Sequence, residues 1–454
     1  MNRESVKNGR WHLISRTESL DSESDPFEAF EKARLRGEPS FFWMHPSDGL
    51  WMVGEGVPRK ELQPRPCIIS TAAETHRHWM QNLRLDPAGR PGVGPVLFGA
   101  FRFRSDHPVG IPWTGLTPDP FIFCPLQMIK MNGAVSRIVT TAADGPLAED
   151  LNVKDSDSPS TRSFSEPPAP RLIEAEGMSY GGWVEGVQRI LGEVGKGRVE
   201  KTTLARYLHL RFSGSWNCAG ILRRLSASYP DCRIFAIAEK GACFLGATPE
   251  LLMEQKGGRI QSVCLAGSAP RSTDAGTDTE AGRALLGDRK ERREHEIVVR
   301  WIAERLKGKT SSLSWDREPR LRRLRAVQHL QTVFEGAVAP GGHLLDLVSA
   351  IHPTPAVGGV PLNRALELSG DIEMFDRGLY AGPIGWIDGR GDGEVALGIR
   401  SALIRGEDVH LFAGAGIVKG SDPEREWREV SLKFAPLLGA LQLPPDTVSG
   451  VGME

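Results

Sequence analysis

Strand-like segments recur along this chain without a strict alternation with helices, and this arrangement restricts its possible folds more than any other feature. Phe41 to Gly56 has the pattern of two strands around a Pro-Ser-Asp-Gly turn. Helical spacing of apolar residues is clearest from Tyr180 to Gly197, and it recurs over residues 288–306 and 423–441. The mixture predicts an α+β fold or layered α/β packing. Further strands are predicted over residues 94–103, 199–210, 233–239, 242–247, 325–338, 393–404 and 409–417.

The composition is that of an ordinary globular protein. Of the 454 residues, 40% are hydrophobic and 25% are charged, and 56 basic against 57 acidic side chains give a net charge of −1. This balance argues against a nucleic-acid-binding surface. No apolar run approaches the ~18 residues that a membrane helix needs, and the N-terminus is polar rather than a secretory signal. We therefore expect a cytoplasmic protein with neither nucleic acid nor membrane as a partner.

Two predicted helices carry carboxylates on one face. Residues three or four apart along a helix share a face, and these acidic residues flank the apolar stripe in the second helix. Such a pattern is most typical of a solvated helix face with ion pairs. If the two helices meet, the same carboxylates would instead suit Mg²⁺, which takes few protein carboxylates and keeps sites for water or substrate. The residues concerned are Glu291 and Glu294 in the first helix, and Glu426, Glu429 and Lys433 in the second.

A glycine-rich segment, Ala413 to Ser421, leads into the second of these helices. A glycine-rich loop at a helix N-terminus can bind an anion through backbone N–H groups. The segment lacks the order of a Walker loop, so a tight strand-to-helix connection explains the spacing equally well.

Four polar residues stand in apolar surroundings or beside strands. Lys201 opens a predicted strand, Glu250 follows a proline-broken turn, and His329 and Arg400 lie inside predicted strands. A buried charge is costly unless it is paired, so these positions are candidates for function.

Segments between about residues 180 and 440 resemble, in the same order, the motifs of the chorismate-utilising enzymes. KTTLAR at residues 201–206, for example, resembles the KVVLAR motif of that family. The further matches are TPELL (248–252), LAGS (265–268), KERREH (290–295), HPTPAVGG (352–359), DRGLYAGPIGW (376–386), ALGIRSA (396–402), AGAGIV (413–418) and EWRE (426–429).

Within the family, the chain resembles the isochorismate synthases. Salicylate and anthranilate synthases usually carry a T-x-S-G-x-P-K type of block where this chain has the histidine-led block 352–359. Anthranilate synthases typically have Gln in place of Lys201, because they deliver ammonia instead of activating water. The resemblance therefore implies an isomerase that uses water as its nucleophile.

The resemblance also implies a fold and a division of the chain. It implies a layered α/β sandwich of large, mostly antiparallel sheets with helices packed outside. Residues 1–173 would be the N-terminal part of that fold, 174–445 the chorismate-binding catalytic region, and 446–454 a tail. Within the first part, the stretch 144–171 is rich in Pro, Ser and Asp and is predicted to be a mobile insertion.

The reaction needs a base to take a proton from water at C2 of chorismate and an acid to protonate the hydroxyl that leaves C4. By resemblance, Lys201 is the base and Glu250 the acid. Lys201 must be neutral when it acts, and the pKa of Glu250 must be raised so that it holds its proton. By resemblance, Glu294 and Glu429 bind Mg²⁺, and Glu291 and Glu426 are direct or water-mediated helpers.

The remaining site residues are also assigned by resemblance. The pyruvyl or ring groups of the substrate would be held by side chains and by backbone N–H groups, and other residues would line the pocket. The holding residues are Tyr380, Arg400 and Lys433, with the N–H groups near Gly414 and Gly416; the lining residues are Ser268, His329 and Ala356.

Other interpretations stay open on the sequence alone. They are a salicylate synthase that releases pyruvate, an aminating synthase that needs a glutaminase partner, and a non-catalytic binding paralogue. We expect chorismate as the small-molecule partner, Mg²⁺ as the cofactor, no obligatory glutaminase, and a monomer or weak homodimer. Menaquinone, phylloquinone and siderophore pathways all share this step, and menaquinone biosynthesis is the one that we associate with the chain.

Overall fold

Two large β-sheets form the framework of the protein. The computed structural model describes residues 11–19, 25–56, 68–81, 83–85, 95–106, 109–117, 119–124, 126–131, 133–144 and 168–448. In chain order, the strands are β1 (Trp11–Ser19), β2 (Ser40–His45), β3 (Leu50–Glu55), β4 (Leu83–Leu85), β5 (Val96–Ala100), β6 (Phe121–Phe123), β7 (Leu126–Met131), β8 (Ala134–Asp144), β9 (Leu172–Gly177), β10 (Lys201–Phe212), β11 (Arg233–Glu239), β12 (Ala242–Thr248), β13 (Leu251–Lys256), β14 (Arg259–Pro270), β15 (Thr310–Trp315), β16 (Arg320–Arg323), β17 (Val327–Val338), β18 (Gly359–Val360), β19 (Pro383–Asp388), β20 (Gly393–Leu397), β21 (Ser401–Arg405) and β22 (Asp408–Val418).

The helices pack against these sheets. They are α1 (Pro26–Leu35), α2 (Ile69–Gln81), α3 (Tyr180–Gly195), α4 (Cys218–Ser228), α5 (Ala275–Gly287), α6 (Arg289–Leu306), α7 (Leu344–Ile351), α8 (Leu362–Glu373) and α9 (Pro423–Ala440), with 3-10 turns at Pro46–Asp48 and Pro445–Val448.

The first sheet has 13 strands among the described residues, in the order β18-β10-β22-β21-β12-β11-β2-β3-β7-β8-β1-β4, with β9 paired to β10. The second has nine, in the order β15-β17-β14-β13-β20-β19-β5-β6, with β16 paired to β17. Every described pair is antiparallel except β1 with β4.

The layers follow from the alternation of side chains along the strands. Strand β10 shows this directly, because successive residues point to opposite faces of a sheet. Leu204 and Leu208 pack with apolar residues of α3, α4 and α9 on one face, whereas Ala205, on the other, joins the cluster that includes residues of the second sheet. Helices α6 and α7 contact β14 and β13 of the second sheet.

Two of the passages of the chain between the sheets are neighbours. The chain leaves the first sheet after β12 and enters the second at β13, and it returns between β20 and β21. Backbone hydrogen bonds join the two crossovers: Leu397 donates to the Glu250 carbonyl at 3.0 Å, and Ala247 donates to the Arg400 carbonyl at 3.1 Å. The crossovers therefore place Glu250 and Arg400 side by side.

The predicted fold class is confirmed, and so is the hairpin over residues 41–56. Both predicted helices with carboxylates begin where the sequence indicates, since Asp288 and Asp422 accept hydrogen bonds from backbone N–H groups of the first turn. The strand predicted over 393–404 is wrong as one element, because it is two strands in different sheets.

The predicted division of the chain stays a prediction. Its boundary after residue 173 falls inside β9. The predicted insertion lies mostly outside the described residues, which end at 144 and resume at 168, and residues 449–454 of the tail also lie outside them. None of the described helices is both long enough and apolar enough to cross a membrane.

Candidate active site

A cavity, partly open to solvent, lies where the two crossovers, β10, β22, α6 and α9 come together. Most of the residues singled out from the sequence line it. They are Glu250, Ser268, Glu294, His329, Ala356, Tyr380, Arg400, Gly414, Gly416, Glu429 and Lys433. Lys201, Glu291 and Glu426 are buried directly behind this lining.

Lys201 is fully buried at the start of β10, and its Nζ lies 2.9 Å from Glu294 Oε1. Gly416 faces this pair from β22. A Cβ on Gly416 would lie 2.2 Å from Glu294 Oε1 and 2.5 Å from Lys201 Cε, so only glycine leaves room for both side chains here.

Glu250 lies in the first crossover and is 5% exposed. Burial raises its pKa to about 8, although Lys201, Arg400 and Lys433 act in the opposite direction. At neutral pH its carboxyl group therefore holds a proton, which is the state a proton donor needs.

Arg400 lies in the second crossover rather than inside a strand, which corrects the expectation from the sequence. Its backbone has φ of +51°, a left-handed conformation that is uncommon for a residue with a side chain. This turn directs the chain from one sheet to the other and places the guanidinium in the cavity wall. Strain of this kind is characteristic of functional sites.

His329 is fixed between two neighbours. Arg400 Nη2 donates to His329 Nε2 at 3.2 Å, and His329 Nδ1 lies 3.0 Å from Ser268 Oγ. Because arginine can only donate, Nε2 must be the unprotonated nitrogen and Nδ1 the donor to Ser268. Burial and Arg400 lower the pKa of His329 to about 3, so the ring is neutral.

The segment Ala413–Val418 is part of β22, which confirms the strand predicted over 409–417 and the strand-to-helix alternative, and not an anion-binding loop at the helix N-terminus. Gly414 lies opposite Ala205 in the ladder, and Gly416 lies opposite Thr203. The Ala205 N–H donates to the Glu373 side chain, and the Thr203 N–H donates to the Gly358 carbonyl, so neither donates to β22. These are therefore the non-hydrogen-bonded pairs of the ladder, and both glycines direct their backbone groups away from β10. The Gly414 carbonyl accepts from Lys433 Nζ at 2.8 Å on that side.

The four carboxylates of α6 and α9 lie in the cavity wall or directly behind it, and they do not form a solvated face. Glu291, Glu294 and Glu426 are at most 7% exposed. The Glu429 side chain is 15% exposed, and its Oε1 lies 2.6 Å from Lys433 Nζ.

Their charge states differ with their neighbours. Burial would raise the pKa of Glu429, but Lys433 and Lys290 outweigh it and hold this pKa at about 2. Burial would also raise the pKa of Glu294, but the nearby Lys201 and Lys290 outweigh it and keep this pKa below the ordinary value. Burial and the nearby Glu429 raise the pKa of Glu426 to about 7. Glu294 and Glu429 are thus the two carboxylates of the four whose pKa lies below the ordinary value.

The donor set fits Mg²⁺ in its chemistry. The Glu426 Oε2 is buried without a hydrogen-bond partner among the described residues, as expected of an oxygen that a hard cation would satisfy, whereas its Oε1 lies 2.7 Å from Lys290 Nζ. Within the same residues, however, no group of three or more acidic, His or Cys side chains converges on a common point for a metal. Glu291 is also occupied, because its Oε2 accepts from the Ser268 backbone at 2.9 Å and its Oε1 lies 2.9 Å from Arg425 Nη2.

Sequence reasoning missed two positioning residues. Arg377 forms a buried ion pair with Glu373 and donates to the Val357 carbonyl at 2.7 Å and the Thr203 carbonyl at 2.9 Å. The pair thereby joins the 352–359 block to β10. Arg377 belongs to the segment 376–386, but its sequence neighbours Asp376 and Gly378 give no signal that it is buried.

Comparisons with known proteins identify the family of the chain. The family model described as "Chorismate binding enzyme" matches residues 2–442. The chain is 32% identical over 450 residues to isochorismate synthase MenF of Bacillus subtilis, covering 94% of this chain and 93% of that protein. It is 32% identical over 425 residues to the salicylate biosynthesis isochorismate synthase of Pseudomonas aeruginosa, covering 92% and 88%. The crystal structure of a putative 2,3-dihydroxybenzoate-specific isochorismate synthase, DhbC, from Bacillus anthracis superposes with a TM-score of 0.71 at 28% identity, covering 92% of this chain and all of that one.

Proposed function

Because this chain belongs to the chorismate-binding enzyme family, we propose that it is an isochorismate synthase, an isomerase that converts chorismate to isochorismate. The observation that carries the proposal is that Glu250, whose pKa burial raises to about 8, lines the cavity, while Lys201 is buried directly behind its wall. An acid and a base are what the exchange of a hydroxyl group between two ring carbons requires.

The two residues take complementary roles in the proposed reaction. Lys201, once its ammonium has lost a proton, takes a proton from water as the oxygen bonds to C2. Glu250 gives its proton to the hydroxyl that leaves C4, so that water departs while the ring double bonds rearrange. Glu294 Oε1 holds Lys201 Nζ at 2.9 Å, so the base role requires that contact to be released.

Glu294 and Glu429 would hold Mg²⁺, with Glu426 as a helper, because they present carboxylate oxygens at one wall of the cavity. The bound ion would supply positive charge that offsets the ring carboxylate of the substrate. Glu291 supports this wall by holding the Ser268 backbone, so we assign it a positioning role.

The cationic side of the cavity suits a substrate with two carboxylates. Arg400 and Lys433 would bind the pyruvyl or ring groups together with Tyr380, whose pKa burial raises to about 12, so that it keeps its donor proton. The backbone groups of Gly414 and Gly416 turn toward the same space. Ser268, His329 and Ala356 complete the wall, with His329 fixing the Arg400 side chain.

Water as the nucleophile removes the need for a glutaminase. We propose a cytoplasmic enzyme that acts alone on chorismate, as a monomer or weak homodimer. The similar proteins of B. subtilis and P. aeruginosa are both named isochorismate synthases, which favours this activity over the salicylate-forming and aminating reactions.

Product analysis tests the proposal. Purified protein is incubated with chorismate and Mg²⁺, and the products are separated by chromatography while pyruvate is assayed. We expect isochorismate without pyruvate, and no product after EDTA treatment. Stoichiometric pyruvate with salicylate, or turnover only with ammonia, would contradict the proposal.

Two variants test the assigned roles. Lys201→Ala and Glu250→Gln should each lower kcat by about 10²–10⁴-fold or more while the circular dichroism spectrum is unchanged. Lys256→Ala, which changes an exposed residue on β13, is the control and should keep wild-type activity. Wild-type rates in either site variant would refute the role of that residue.

A further inference from the structure

Lys290 lies among the carboxylates of α6 and α9, in the first turn of α6. Its Nζ is 2.7 Å from Glu426 Oε1, 3.1 Å from Glu291 Oε1 and 3.6 Å from Glu294 Oε2. The side chain is only 11% exposed, and the three carboxylates are 9% exposed or less. One ammonium group therefore contacts carboxylates from two different helices inside the protein.

The charge of Lys290 balances a cluster that would otherwise be strongly repulsive. Like charges at this separation destabilise one another, and burial strengthens the repulsion because water no longer screens it. Lys201 and Lys433 each pair with one carboxylate at the edge of the cluster, namely Glu294 and Glu429. Lys290 is the cation at its centre.

The position of Lys290 explains why these carboxylates do not converge on a free point. Oxygens of Glu294 and Glu426, which belong to the donor set of the proposed function, are directed at its ammonium group. A divalent cation bound by the same oxygens would lie next to this ammonium group, and two cations repel each other strongly in a buried site.

We propose that Lys290 is a built-in counter-ion that competes with Mg²⁺, so that the metal binds only when the ammonium group leaves the cluster. The proposal rests on the proposed function for the identity of the metal. It makes Lys290 a residue that sets metal affinity: without metal, the ion pairs offset most of the negative charge of the cluster, and they lower the affinity for Mg²⁺ by the free energy needed to break them.

The Lys290 ammonium group can reach solvent from its position at the start of α6. Its neighbour Arg289 is exposed at the start of the same helix, so solvent lies close to the base of Lys290. A long lysine side chain can keep its methylene groups packed while its ammonium group moves to water.

Calorimetric titration of the chelator-treated protein with MgCl₂, without chorismate, tests the proposal. Lys290→Met should bind Mg²⁺ at least about tenfold more tightly than the wild type, which corresponds to about 1.4 kcal/mol. Lys307→Met removes the same charge from the exposed C-terminal end of α6, about 25 Å away, and should not change the affinity. Equal or weaker binding by Lys290→Met would overturn the proposal.

A second measurement uses the wild-type protein, and so does not depend on whether the variant folds. Lysine labelling with acetic anhydride, followed by mass spectrometry, reports how accessible each ammonium group is. Addition of Mg²⁺ should increase the labelling of Lys290 several-fold and leave that of Lys307 unchanged. No increase at Lys290 under conditions where calorimetry shows bound Mg²⁺ would contradict the displacement.

These measurements separate the two proposals. Neither uses chorismate, so they can fail while product analysis still shows isochorismate. Conversely, a product other than isochorismate in the activity assay would not contradict the competition between Lys290 and Mg²⁺.

Discussion

At the scale of single residues, burial decides which groups can exchange protons. Glu250 has several cationic neighbours, yet its pKa is raised to about 8 because it has lost its contact with water. Glu429 is held at about 2, since Lys433 and Lys290 outweigh its burial. The pKa values of two carboxylates in one cavity are thus shifted in opposite directions, as the separate roles of proton donor and metal ligand require.

The raised pKa of Glu250 predicts a pH dependence. The proton donor is present below the folded-state pKa and is lost as the pH rises through it. We expect kcat/KM to fall above about pH 8 and to approach a tenfold decrease per pH unit. Glu254→Gln, a change on β13 outside the cavity lining, should keep this alkaline limb. A profile that stays flat to pH 10 would contradict proton donation by Glu250.

Gly416 gives a steric prediction. Its missing Cβ is the space that Lys201 and Glu294 occupy, so Gly416→Ala should displace both and reduce kcat/KM by about 100-fold. The matched control is Gly439→Ala near the end of α9, where an added Cβ meets nothing within 4 Å. Steady-state kinetics of both variants provide the measurement, and equal activity of the two would show that the close packing at Gly416 is unimportant.

At the scale of elements, the sequence was informative where local chemistry fixes the outcome. The helices predicted over 288–306 and 423–441 from apolar spacing begin beside Asp288 and Asp422, and these capping carboxylates satisfy free N–H groups whatever the rest of the fold does. The crossover at Arg400 was missed, since Leu397 to Ser401 has the pattern of a continuous strand and nothing in it signals a left-handed turn.

The cluster of α6 and α9 shows a second limit of prediction. Helical spacing placed Glu291 and Glu294 on one face, but spacing within a helix does not reveal what lies between two helices. Resemblance to a family supplied the site residues that geometry could not. The central position of Lys290 emerged only from the packing of the two helices.

The contact between β10 and α9 yields a prediction about stability. Arg206 is fully buried on β10; its guanidinium lies 3.2 Å from the ring centroid of Trp427 and donates to Ser431 Oγ at 3.0 Å. Its Nε and Nη2 have no hydrogen-bond partner among the described residues, and burial lowers its pKa to about 9. The charge itself thus contributes little, and packing contributes most.

We therefore expect Arg206→Met to be as stable as the wild type, whereas Arg206→Ala should lose about 3 kcal/mol of the free energy of unfolding. Urea denaturation followed by circular dichroism measures both. A Met variant as unstable as the Ala variant would mean that the guanidinium charge is essential to this contact.

At the scale of the whole molecule, buried histidines connect distant parts of the chain. His343 Nε2 lies 2.9 Å from His76 Nδ1, and His76 Nε2 lies 3.0 Å from the Asp388 carbonyl. His343 Nδ1 accepts from the Leu345 backbone N–H, so Nε2 must donate to His76, whose own Nε2 donates to Asp388. This chain of hydrogen bonds joins α2, α7 and β19 only while both rings are neutral.

Burial lowers the pKa of His76 to about 4 and that of His343 to about 3. The unfolded chain binds these protons near pH 6.5, so this contribution to stability is complete above pH 6.5 and decreases as the pH falls toward 4. We expect the free energy of unfolding, from urea titrations, to fall between pH 7 and pH 5. His343→Gln should lower the number of protons taken up on unfolding by about one and so flatten the pH dependence, whereas the change of the exposed residue in His78→Gln should leave it unaltered. An identical pH dependence in the wild type and His343→Gln would contradict this account.

The most direct test of the proposed function follows the oxygen atom. The account requires that water adds at C2 and that the original C4 hydroxyl leaves. In H₂¹⁸O, mass spectrometry should find isochorismate with one ¹⁸O at C2, and Lys201→Ala should form almost none. Unlabelled isochorismate would show that the hydroxyl group moves within the substrate, and it would contradict the roles that we assign to Lys201 and Glu250.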